Sequence, residues 1–128
     1  MKRIFLKTEI KKFEIYLDET SSIYKDIILA LPIKGNAKVI TGEIYYTIDV
    51  DIKFDGTEKK KFDIGDIVYW RSQKIDKFAI AIFYGNTKFD DYNSPTASSP
   101  AIKIGYIKED CSNLENIKND SSISIEIE

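Results

Sequence analysis

Arg71 stands directly after Trp70 at the end of the apolar run GDIVYW (65–70), with Gln73 two positions on. An arginine beside an aromatic wall suits one light chemistry, rotation about an Xaa-Pro bond. A donor to the prolyl nitrogen weakens the amide resonance and an apolar pocket holds the ring, against a barrier of about 18–20 kcal/mol. The same residue types also describe an arginine solvated at a strand end and a tryptophan packed in a core, and the spacing leaves both readings open. A second group lies in residues 86–100, NTKFDDYNSPTASSP, a stretch without periodicity that is long for a connection in a compact domain. Phe89 and Tyr92, flanked by Asp90 and Asp91, are spaced to form an aromatic lid over a groove, or equally to fold back on the body of the domain. The candidate ligand-binding set is therefore Trp70, Arg71, Tyr84, Phe89 and Tyr92, with Arg71 the sole catalytic candidate.

The rest of the composition narrows the chemistry by exclusion. There is no histidine, which removes imidazole acid–base catalysis, Ser-His and Cys-His nucleophiles, and nearly every transition-metal site. Cys111 is the single cysteine, so neither an internal disulfide nor a thiolate zinc cluster can form, and its polar surroundings lack the cationic flank of an activated thiol. Asp90-Asp91 lacks calcium-loop spacing. Glu43 and Asp66 each open a strand, and sequence does not fix their separation. No metal and no cofactor is expected. A net charge of -2 and a pI near 5.3, with scattered lysines, argue against a nucleic-acid footprint or an anionic-membrane surface. No apolar segment approaches the roughly 18–20 residues of a membrane span, and MKRIFLKTEIKK has no signal-type apolar core, so the expected location is the cytoplasm.

The elements that must position these residues are mostly strands. RIFLK (3–7) and KFEIYLD (12–18) read as a starting hairpin, with Phe13, Ile15 and Leu17 on one face. TSSIYKDIILALP (20–32) is the one convincing helix, N-capped by Thr20 or Ser21 and stopped by Pro32, and its wide apolar face is expected to cover a barrel mouth. Residues 43–54, EIYYTIDVDIKF, alternate apolar and polar as a half-buried strand, and Asp55-Gly56 supplies a hairpin turn returning through KKKFDI (59–64). FAIAIFY (78–84) is apolar on both faces, Phe78, Ile80 and Ile82 against Ala79, Ala81 and Phe83, which marks a central strand with something packed over its outer face. In AIKIGYI (101–107) Gly105 signals a bulge or a close backbone contact. A short helical turn at 112–117 precedes a final strand at 122–128 that closes the sheet. Eight or nine strands, one helix and hairpin-length connections make residues 1–128 one all-β domain, sandwich or barrel.

GDIVYW, then FAIAIFYGNT, then SSPAIKIGYI, resembles the small prokaryotic cyclophilin-like domain family, and ALPI (30–33), GEIYY (42–46) and Leu114 match its other landmarks in order. The resemblance covers nearly the whole chain. It implies a closed antiparallel β-barrel of cyclophilin type with one helix covering a barrel end, in a family whose members are largely uncharacterised. Where the family places prolines after the YW and in the turn that follows the central strand, this chain has Arg71-Ser72 and Asn86-Thr87. True cyclophilins use an arginine, a glutamine and an aromatic proline pocket with a histidine on its rim, and no catalytic residue transfers here by motif. The leading expectation is a non-catalytic binder of a peptide segment or small ligand. The alternatives are a prolyl isomerase or foldase helper using Arg71, and a structural or oligomerisation domain, monomer or homodimer.

Overall fold

The computed structural model of the chain describes residues 3–72, 76–87 and 95–128. Ten strands, one α-helix and one 3-10 turn are formed among the described residues. β1 (Ile4–Lys7) and β2 (Lys12–Leu17) form the expected hairpin, with Ile4 opposite Ile15, and Thr8 closes the turn by donating its hydroxyl to the Lys11 carbonyl at 2.8 Å. Phe13, Ile15 and Leu17 are buried because the pleat sends every second side chain to the core.

The helix α1 (Tyr24–Ala30) is shorter than the sequence predicts. Neither Thr20 nor Ser21 caps it: Thr20 donates to Asp18 and the Ser21 hydroxyl to the Lys103 carbonyl, so the first helical turn starts after Ile23 without a side-chain cap. Leu31, ahead of Pro32, is extended at φ -64 and ψ 142, as the proline requires. Ile23 and Ile27 are buried in the main core, while Leu29 stands in solvent.

The strands join in the order β3-β10-β1-β2-β9-β7-β8-β5-β4, all antiparallel. Here β3 is Ile33–Asn36, β4 Lys38–Ile40, β5 Glu43–Ile48, β7 Asp66–Arg71, β8 Phe78–Phe83, β9 Thr96–Ile107 and β10 Ser122–Ile127. The expected closed barrel is not made by strand pairing: the ladder ends at β3 and β4, and β10 sits between β3 and β1 instead of closing the sheet. Across the open seam β3 packs on β5. A Cβ at Gly35 would lie 2.6 Å from the Tyr46 ring and 2.9 Å from the Thr47 carbonyl, and the Tyr46 hydroxyl donates to the Ile33 carbonyl at 3.2 Å. Glycine permits an approach too close for ladder spacing.

Residues 49–54 continue the alternation of β5, with Ile52 buried and Val50 and Phe54 against the core, but they form no ladder. The Tyr69 hydroxyl takes the place of a strand neighbour, accepting from the Ile52 N–H at 2.8 Å and donating to the Val50 carbonyl at 2.7 Å. The hairpin predicted at Asp55-Gly56 is replaced by a local turn in which Asp55 accepts from Thr57, and the returning β6 (Lys59–Lys61) pairs with β9. β9 consequently begins at Thr96, inside the segment expected to be loop.

Two cores result. The main one lies inside the curled sheet, and a smaller one, built from Phe62, Val68, Ala81, Phe83 and Ala101, lies on the outer face of β8. That second core is what packs over the strand that is apolar on both sides.

Candidate functional site

β8 is hydrogen-bonded on both edges, to β5 and to β7, so its side chains can point only inward or outward. Phe78, Ile80 and Ile82 enter the main core, and Ala79, Ala81 and Phe83 face out. At the Phe83 end the outer face is sealed by Phe62, whose ring stacks on Phe83 with centroids 5.3 Å apart. Over Ala79 and Ala81, both buried, it is covered but not filled, because an alanine ends at Cβ. The space left above them is a cavity of about 320 Å³, walled by Glu43 and Tyr45 of β5, Val68 and Trp70 of β7, and the first half of β9. The register explains the walls: Tyr45 and Val68 flank Ala81, Trp70 flanks Ala79, and Glu43 is level with Phe83.

Trp70 is held in place as part of the wall. Its indole N–H donates to the Ser99 hydroxyl of β9, fixing the ring against a strand that itself crosses the outer face. Glu43 is the unusual wall residue. Its carboxyl makes no hydrogen bond or ion pair with any described residue, and burial pushes its pKa up to about 7. Desolvation penalises the charged form, and no cation among the described residues offsets it. Lys77 lines the cavity at the other end of the outward row.

The candidate residues are divided by the pleat. Arg71, next to Trp70, projects to the opposite face, where its Nη2 lies 3.2 Å from Asp51 Oδ1 and its guanidinium lies over the Phe78 ring at 5.6 Å. Its Nε is buried without a hydrogen-bond partner among the described residues. Tyr84 packs against the main core and donates its hydroxyl to the Ile40 carbonyl at 2.7 Å. Burial, with the nearby carboxylates of Glu115 and Glu43, raises its pKa. Phe89, Tyr92, Gln73, Asp90 and Asp91 lie outside the described residues. The ends of the segment containing most of them are joined by the buried Thr87, whose hydroxyl donates to the Thr96 carbonyl at 2.7 Å. Asp66 does not line the cavity, being buried against Lys103 at 3.1 Å and accepting from the Asp63 N–H. Glu43 and Asp66 thus have different surroundings, one without a partner among the described residues and one ion-paired. Cys111 is buried, which raises its thiol pKa, the reverse of an activated nucleophile. Among the described residues no group of three or more His, Cys, Asp or Glu side chains could hold a metal ion, and no helix is long and apolar enough to cross a membrane.

Sequence reasoning reached Trp70 and the two faces of β8 but not Glu43, Tyr45 or Ser99 as wall residues. The available signal is the alanine pair on the outer face, Ala79 and Ala81, which forms the floor of the cavity.

A family profile described as cyclophilin-like matches residues 2–126. The chain belongs to the cyclophilin-like family. Among solved structures, this cyclophilin-like chain is similar to a hypothetical protein from Archaeoglobus fulgidus determined in solution. The two are 28% identical, the match covers 98% of this chain and 93% of that one, and the TM-score is 0.77. No curated protein matches the sequence. The relationship accounts for the order of GDIVYW, FAIAIFYG and SSPAIKIGYI, which in this cyclophilin-like domain are β7, β8 and β9 with their flanks.

Proposed function

We propose that this cyclophilin-like domain is a non-catalytic binder that takes an apolar portion of a small ligand, or a side chain of a peptide segment, into the outer-face cavity beside Trp70. The observation that carries the reading is the small-residue floor formed by Ala79 and Ala81. Both faces of this central strand are buried, but on the outer one two alanines end at Cβ and leave about 320 Å³ unfilled between aromatic walls. That volume is at the lower end of small-molecule sites, which are mostly apolar with a few placed polar groups. An isomerase using Arg71 draws less support, because its donor and the aromatic cavity face opposite ways across β7. A cytoplasmic setting belongs to the same proposal, supported by the single, buried, unpaired cysteine.

The test is a titration of isotopically labelled protein with a fragment library and with short Xaa-Pro peptides, read by amide shifts and by fluorescence. Trp70 is the sole tryptophan, so its emission reports the cavity directly. Shifts on β5, β7, β8 and the first half of β9, abolished by Ala81→Leu in a folded variant, support the reading. Shifts confined to other surfaces, or none from either library, overturn it. Accelerated cis–trans exchange in the peptides would replace it with the isomerase.

A further inference from the structure

We propose that the ligand of this cavity carries a protonated amine on an apolar body, and that the Glu43 carboxylate is the group that receives it. The inference rests on the cavity being a binding site and names the chemistry of its occupant. The geometry is a floor of Ala79 and Ala81, walls of Trp70 and Tyr45, and one carboxyl at the Phe83 end with no partner among the described residues. An apolar trough favours an apolar body without orienting it, whereas a charged acceptor at one end fixes which way round it lies.

Partial burial together with the absence of a partner among the described residues sets Glu43 apart, since exposed carboxylates such as Glu19 and Asp49 are solvated. Glu14, Glu109, Glu126 and Glu128 accept ion pairs from lysines or arginine on the surface, and the buried Asp66 has Lys103. Glu43 is half-buried and has no cation as partner among the described residues. Lys77, the cation on the same cavity, lies beyond Ala79, whereas Glu43 is level with Phe83. Ala79 to Phe83 spans roughly 13 Å of strand at about 3.3 Å per residue. Burial raises the Glu43 pKa, and an incoming ammonium would reverse that by favouring the carboxylate. The proton released by Glu43 on binding goes to solvent, so the bound pair is ammonium and carboxylate with no covalent step.

The experiment compares 2-phenylethylamine with its neutral isostere 2-phenylethanol at pH 8, where both the amine and the Glu43 carboxylate are mostly charged, following Trp70 emission and amide shifts. The amine is expected to bind about tenfold more tightly than the alcohol, the ratio for one charge-assisted hydrogen bond. Glu43→Gln is expected to bring the two to the same affinity, and Glu43→Asp, which keeps the charge on a shorter arm, to retain part of the preference. Equal affinities in the wild-type protein, or an amine preference that survives Glu43→Gln, overturn the amine assignment alone. If neither compound perturbs Trp70 or the cavity amides, and the fragment library also fails, the cavity reading falls with it.

Discussion

Trp70 and Arg71 are consecutive in β7 and face opposite sides of it. The Trp70 indole donates to Ser99 on the outer face, while Arg71 pairs with Asp51 and covers Phe78 on the other. A strand alternates its side chains by construction, so two neighbours in sequence cannot line one pocket unless a bulge intervenes, and the pairing of β7 with β8 is regular from Ile67 to Arg71. Occupancy of the cavity should therefore be felt by Trp70 and not by Arg71.

Arg71→Met is the direct check. Methionine keeps an apolar stem over Phe78 and removes the pair to the half-exposed Asp51, a loss of ~0.5 kcal/mol for a partly solvated bridge. The midpoint of urea unfolding should move little, and the response of Trp70 to a cavity ligand should stay within about twofold. A tenfold weaker response would mean that Arg71 reaches the ligand after all.

Tyr69→Phe tests what holds the 49–54 segment. The hydroxyl satisfies both the Ile52 N–H and the Val50 carbonyl, groups that elsewhere in the sheet would belong to a ladder. Its loss leaves a buried donor without a partner, so the expected destabilisation is about 1–3 kcal/mol in urea unfolding, with faster hydrogen exchange at the Ile52 amide. Unchanged exchange at Ile52 would show that the segment is held by its apolar contacts alone.

These two residues illustrate how far the sequence is legible. Periodicity locates β2, β5 and β8 and both faces of β8, because a buried face and a pleat leave a period of two. It also points the alternating side chains of 49–54 correctly, yet it cannot tell that their backbone bonds go to one tyrosine hydroxyl and not to a partner strand. It misassigns β6 for the same reason: Asp55-Gly56 announces a turn, but the choice of β9 over β5 as partner is made by long-range packing of Phe62 on Phe83. The open seam is equally invisible, since it depends on how closely Gly35 approaches Tyr46. Glu43 reads as an ordinary polar residue of an alternating strand, and only the bend of β9 across the outer face makes it part of a cavity.

Gly105 was legible, and its role can be separated from simple glycine flexibility. A Cβ there would sit 2.2 Å from the Tyr16 carbonyl oxygen and 3.1 Å from the Leu17 Cα, so Gly105→Ala must push β2 away from β9, beside the register shift that β9 makes against β7. A loss of about 3 kcal/mol or more is expected. Gly56→Ala is the control: φ is 93° but nothing lies within 4 Å, so only backbone strain is added, about 1–2 kcal/mol. Equal losses for the two variants would remove the steric argument for Gly105.

Glu43 gives stability an unusual dependence on pH. Its pKa is about 7 in the fold against 4.5 for an ordinary glutamate, so below about 4.5 the folded and unfolded chains both carry the proton. Between about 4.5 and 7 the unfolded chain releases it while the folded chain keeps it, so stability falls as pH rises across that window and levels off above it. The total loss is on the order of 3 kcal/mol. Among the described residues, the ionisable groups sharing its surroundings are the phenols of Tyr45 and Tyr84, the latter raised further by burial, and Lys77 at the other end of the cavity. The carboxylates with lowered pKa, Asp55 at about 2 and the surface partners of lysine and arginine, stabilise in the opposite sense, and their contribution is lost only as pH falls below about 4.5. No histidine exists to titrate between the two regimes. Urea unfolding from pH 4.5 to 8 should therefore show a decline that Glu43→Gln abolishes, leaving the variant more stable than the wild-type protein at pH 8. A decline of the same size in the variant would assign the titration to another group and return Glu43 to the solvated face where its sequence position first places it.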